Sequence, residues 1–156
     1  MHKILFGLAT VSLALLASCS GDAPPAETGE AVPAMAWSDP VIRTVDKDGV
    51  TVDIFEEGTG TEAKEYDQVS VHYTGWVKNT ENVFDSSTYS GSPIGFALGT
   101  KRVIAGWDKG IMGMKVGTRA RLHIPWKFGY GKNGNPMGGI PGEADLVFDV
   151  ELVKVR

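Results

Sequence analysis

The stretch that decides the fold is Val103-Ile104-Ala105-Gly106-Trp107-Asp108-Lys109-Gly110-Ile111-Met112, followed beyond Gly113 and Gly117 by Arg119-Ala120-Arg121-Leu122-His123-Ile124. In the first part Ile104, Trp107 and Ile111 fall at i, i+3 and i+7, which is one face of a helix. The two glycines lie where such a helix must stop. In the second part Ala120, Leu122 and Ile124 alternate with charged or polar neighbours, the period of a strand with one dry face. A single short helix with one apolar stripe beside such a strand has an obvious partner, because each buries its apolar side against the other.

Outward from this stretch the strand pattern repeats. Val50, Val52 and Ile54 alternate with Thr51, Asp53 and Phe55. Val69, Val71 and Tyr73 alternate with Ser70, His72 and Thr74. Leu146, Phe148, Val150 and Leu152 alternate with Val147, Asp149, Glu151 and Val153. Phe96, Ala97 and Leu98 suggest a shorter strand. Together these predict an α+β fold, an antiparallel sheet with one wet face and one short helix packed across the dry face. Twenty glycines and eight prolines favour turns over long helices, and a charged fraction of 22% fits a globular domain. A net charge of -4 argues against nucleic acid as partner, since phosphate binding needs a basic surface.

The chain opens differently. Lys3 precedes a mostly apolar run from Ile4 to Leu16, followed by Ala17, Ser18 and Cys19. That run is short of the roughly 20 residues that span a bilayer and fits the core of a secretory signal. Leu16-Ala17-Ser18-Cys19 resembles the lipobox of bacterial lipoproteins. The resemblance implies a signal peptide at 1–18, lipid on Cys19 and a membrane anchor. With Ser20 rather than aspartate next, it also implies the outer membrane facing the periplasm in a Gram-negative host. Cys19 is the sole cysteine, so no intramolecular disulfide is expected despite export. Residues 19–40, rich in Ala, Pro, Gly and Glu, read as a flexible linker with little to bury. About 17 such residues span roughly 20–25 Å as a coil. The folded domain is expected at 41–156.

Within that domain, Val71-His72-Tyr73-Thr74-Gly75, Phe84-Asp85-Ser86-Ser87, Phe96-Ala97-Leu98-Gly99, Val103-Ile104-Ala105-Gly106-Trp107, Tyr130-Gly131 and Leu146 to Leu152 occur in order. Together they resemble the FKBP family of peptidyl-prolyl cis-trans isomerases. The resemblance implies a twisted antiparallel sheet wrapped around a short helix, with a substrate pocket between them. It makes Trp107 the pocket floor and Tyr73, Phe84, Val103, Ile104 and Phe148 its walls. Asp85 and Tyr130 become polar groups at its edge, the Ile104 N–H a donor to a ligand carbonyl, and Ile140 an apolar residue of a mobile flap. Tyr73, Asp85, Tyr130 and Phe148 are the residues expected to act in catalysis. The implied partners are proline-containing polypeptides and rapamycin-type macrolides. No cofactor is implied, and a monomer is expected.

Such chemistry needs no nucleophile. Rotation about the X-Pro bond breaks amide resonance, and a pocket that favours the twisted amide over both planar forms suffices. Asp85 in Asp-Ser-Ser reads either as turn chemistry or as a pocket-edge hydrogen-bonding group, the latter favoured over proton transfer. His72 and His123 fall on the polar face of strands, and with no ligand-spaced cluster a metal site is not expected. The glycine-rich stretch 129–142 lacks the G-K-[ST] of a phosphate loop. Two rival readings remain: a binding or chaperone module using the same pocket without catalysis, and a structural lipoprotein. The pocket set argues for an enzyme over both. Departures from the family pattern are Ile94 where an aromatic is common, Ser90 where a basic residue often pairs with the aspartate, and Asn135 where histidine is frequent.

Overall fold

A computed structural model describes residues 38–80 and 82–156. The expected leader at 1–18, Cys19 and most of the expected linker at 19–40 lie outside the described residues. Inside the expected linker, Asp39 reaches Arg119 at 3.0 Å.

Seven strands are present among the described residues: β1 (Arg43–Lys47), β2 (Val50–Glu56), β3 (Gln68–Val77), β4 (Val83–Ser86), β5 (Ile94–Ala97), β6 (Arg119–Ile124) and β7 (Leu146–Val155). They form one antiparallel sheet in the order β1-β2-β6-β7-β3-β4, with β5 also paired to β3. A four-residue helix α1 (Ser87–Ser90) follows β4, and α2 (Ala105–Ile111) lies across the inner face. The helix expected at 103–112 is shorter at both ends. Ile104 keeps an extended backbone as its cap, and Gly113 takes the left-handed conformation, φ +76°, that ends it.

The alternation in the sequence is the alternation of the sheet. Val50, Val52, Leu122, Ile124, Leu146, Val150 and Leu152 are all buried on the inner face. Trp107 and Ile111 bring the helix's apolar stripe onto them, each such side chain contributing about 1.5–3 kcal/mol when buried. Two helix glycines make the approach close. A Cβ on Gly106 would stand 2.4 Å from Ile124 Cγ2, and one on Gly110 would stand 3.0 Å from Leu122 Cδ1. The helix therefore lies on β6 through bare backbone, with Trp107 projecting beside that contact.

The outer face is not uniformly wet. Asp149 on β7 is 0% exposed and takes a forked pair from Arg121, Nε at 2.7 Å and Nη2 at 3.0 Å. The guanidinium lies 5.4 Å from the Phe55 ring and 5.3 Å from the Trp76 ring, so two aromatics roof the pair. Bidentate pairing and aromatic cover let a carboxylate be buried where strand alternation predicts a solvated one. No helix among the described residues is long and apolar enough to cross a membrane.

Candidate active site

Between the inner face, α2 and the loops around it lies a cavity of about 370 Å³. Of the residues predicted for the site, all except Ile140 line it. β3 supplies Tyr73, β4 supplies Phe84 and Asp85, and β7 supplies Phe148. Val103 and Ile104 come from the segment entering α2, Trp107 from α2 itself, and Tyr130 from the loop after β6. Ile94 and Arg102 complete the lining.

Trp107 is the hub. Its ring meets Tyr73 edge-on at 5.0 Å and 76°, Phe148 at 5.3 Å and 86°, and Phe96 at 5.6 Å. Phe84 meets Phe148 at 5.5 Å and 82°. Edge-to-face contacts of this kind fix ring orientation as well as adding apolar contact. Gly75 makes room for them, because a Cβ there would fall 2.4 Å from the Phe148 ring and 2.9 Å from that of Phe84. The Trp107 indole N–H is buried and finds no acceptor among the described residues.

Polar groups sit at the edge. Tyr73 Oη donates to Asp85 Oδ2 at 2.6 Å. The two residues after Asp85 hold the Tyr73 backbone: Ser87 Oγ accepts its N–H at 2.9 Å, and Ser86 Oγ donates to its carbonyl at 3.1 Å. Ser86 also caps α1 by accepting from the Thr88 N–H. Asp85, Ser86 and Ser87 thus converge on Tyr73, holding its hydroxyl and its backbone together. The sequence offers a turn or a pocket edge for this motif; Asp85 lies in β4 at the cavity and Ser87 opens α1, so the turn is instead a strand-to-helix junction, and Tyr73 is the partner of Asp85 that Ser90 does not provide.

Burial, then the hydrogen bond to Asp85 and its charge, raise the Tyr73 hydroxyl well above the ordinary tyrosine range. It therefore stays a donor at physiological pH. Burial and the Asp85 charge also raise Tyr130. Ile104 accepts from the Trp107 N–H at 2.9 Å through its own carbonyl, while no acceptor among the described residues takes the Ile104 N–H. An open donor is what a helix-entry residue leaves behind.

Ile140 stands outside this lining; it is 2% exposed and packs in the same hydrophobic core as Tyr73, Trp107 and Phe148. Its N–H and carbonyl both bond Asn135, at 3.0 and 2.9 Å, closing the loop and turning the side chain inward. The loop expected as a flap carries a 3-10 turn at Pro136–Gly138 capped by the Asn135 side chain. His72 meets Ser87 Oγ at 3.0 Å, and His123 meets Asp53 at 2.9 Å. Both are structural partners on the outer face. Among the described residues no cluster of His, Cys, Asp or Glu is placed to hold a metal. Arg102 was missed by sequence reading, because one arginine beside a lysine in a turn carries no periodic signal.

Comparison with known proteins agrees with this geometry. Residues 59–153 match the family model described as FKBP-type peptidyl-prolyl cis-trans isomerase. The chain is 57% identical over 90 residues to the peptidyl-prolyl cis-trans isomerase FPR2 of Saccharomyces cerevisiae, covering 58% of this chain and 66% of the yeast protein. It is 45% identical over 107 residues to an FK506-binding protein of Neisseria meningitidis serogroup B, covering 69% of this chain and 96% of that one. Among solved structures, the N-terminal domain of FKBP42 from Arabidopsis thaliana superposes with a TM-score of 0.69 at 33% identity, covering 73% of this chain and 92% of that one. FkpA from Escherichia coli gives 0.63 at 40% identity, covering 69% of this chain and 48% of that one. From the match over residues 59–153, the aromatic cavity and the shared fold, the chain belongs to the FKBP-type peptidyl-prolyl cis-trans isomerases.

Proposed function

We propose that this isomerase accelerates rotation about X-Pro bonds in exported proteins while held at a membrane by lipid on Cys19. The observation that carries the catalytic part is the cavity itself, aromatic on floor and walls, with an oriented Tyr73–Asp85 pair and an open Ile104 N–H at its edge. The planar amide owes its barrier of about 18–20 kcal/mol to resonance. Resonance also makes its carbonyl polar, so an apolar cavity disfavours the planar forms relative to the twisted one. The Ile104 N–H would hold a substrate carbonyl and Trp107 would seat the proline ring. Phe148 and Phe84 would keep water from the rotating bond. A preference of about 6 kcal/mol for the twisted state gives on the order of 10⁴-fold acceleration. Macrolides of the FK506 and rapamycin type would compete for the same cavity.

The setting rests on Leu16-Ala17-Ser18-Cys19 after an apolar run and on the polar stretch that follows. Cleavage before Cys19 and acylation with more than one chain would anchor stably, where a single chain would not. The reading is tested in two parts. Purified domain should speed a proline-limited refolding phase of an unfolded client, a phase otherwise lasting tens of seconds; an unchanged phase counts against it. In cells, Cys19→Ser should abolish incorporation of labelled palmitate, and persistent labelling would refute the acylation site.

A further inference from the structure

We infer that Arg102 makes this isomerase favour prolines flanked by an acidic residue. The inference rests on the isomerase reading and adds a substrate class to it. Arg102 lines the catalytic cavity, is exposed, and has no ion pair or hydrogen bond to its guanidinium among the described residues. Several other cations of the fold are engaged: Lys47 binds the Gly110 and Met112 carbonyls, Arg43 pairs with Glu57, and Lys109 with Asp48. Arg102 is the basic residue of the cavity lining. Arg102 instead stands at the mouth on a turn that is held by something else. The Asp108 carboxylate accepts the Gly99 N–H at 2.8 Å and the Lys101 N–H at 3.3 Å, pinning the backbone just before Arg102. The guanidinium is thus presented at the rim without being consumed in holding the rim together.

Asp85, the acidic residue of the lining, accepts the Tyr73 hydroxyl and forms no ion pair with Arg102. The rim therefore carries two separate charges, one on β4 and one on the segment entering α2. A peptide lying across the cavity passes Val103 and Ile104, the neighbours of Arg102, so a carboxylate next to its proline comes within reach of the guanidinium fork. At an exposed site this is worth a selectivity of about two- to fivefold, and it is screened by salt.

The test is exchange spectroscopy on two peptide series, acetyl-Ala-Xaa-Pro-Phe-amide and acetyl-Ala-Ala-Pro-Xaa-amide, with Xaa as Glu, Ala or Lys. In at least one series kcat/KM for Glu should exceed that for Lys about two- to fivefold at low salt, and the ratio should approach one in 1 M salt. Arg102→Gln should remove the preference and Arg102→Glu invert it. Lys154→Gln, an exposed charge change on β7 away from the cavity, should leave the ratio as it was. Ratios near one in both series overturn the inference, as does a preference that survives high salt or Arg102→Gln, or that Lys154→Gln removes equally. Catalysis without selectivity defeats this inference alone, whereas no acceleration of any peptide defeats the isomerase reading beneath it.

Discussion

At the scale of single residues, burial separates the site into two classes that the sequence lists together. Phe148 is 3% exposed and packs on Trp107 and Phe84, so it belongs to the core as much as to the cavity. Phe148→Ala should cost about 3–5 kcal/mol of stability in urea unfolding, because it empties the core beside Trp107 as well as the cavity wall. Asp85 is exposed and its contact with Tyr73 Oη stands at the rim. Asp85→Ala should leave stability within about 1 kcal/mol, yet lower kcat/KM about tenfold, the equivalent of one oriented hydrogen bond. Equal losses in stability and activity for Asp85→Ala would reduce the carboxylate to a structural part. Tyr73 itself needed three neighbours to be placed, and only the structure shows that Asp85, Ser86 and Ser87 all bind it.

At the scale of elements, the contact between α2 and β6 positions the cavity floor. Gly106→Ala puts a methyl 2.4 Å from Ile124, and Gly110→Ala one at 3.0 Å from Leu122. The first should destabilise by about 1–3 kcal/mol even after alanine's helix preference of about 1 kcal/mol is counted, and the second by less. Thermal unfolding of the two variants checks the order; a reversed order would mean that the helix is not seated on Ile124 as described. The long strands were legible because their inner faces alternate cleanly over Val50 to Ile54, Val69 to Tyr73, Ala120 to Ile124 and Leu146 to Leu152. β1 was not, since Val45 is its only apolar residue and it lies at the sheet edge. β4 and α1 run four residues each, too short for a period to register. The glycine contact was present in the sequence as an i, i+4 pair in Gly106 and Gly110, and nothing in composition says which strand it would meet.

At the scale of the whole molecule, the two faces of the sheet do different work. The inner face carries helix, core and cavity. The outer face carries the Arg121–Asp149 pair under Phe55 and Trp76, and the Asp53 carboxylate held by Thr44 at 2.6 Å and His123 at 2.9 Å. Burial works against the Asp53 charge, but those hydrogen bonds prevail and hold its carboxyl below the usual range. Strand alternation reads Arg121 and Asp149 as solvated because it sees charge and not the aromatic cover folded over the pair. The site was legible for a different reason: its residues fall in ordered family motifs, and β3, β4, β7, α2 with its entry segment and the loop after β6 bring them to one cavity. The central claim is that this cavity twists prolyl amides, and exchange spectroscopy on acetyl-Ala-Ala-Pro-Phe-amide tests it without a coupled protease. Catalytic amounts of the purified domain should raise the cis–trans exchange rate by at least tenfold, with the cis fraction unchanged. Identical exchange rates with and without the domain would contradict it.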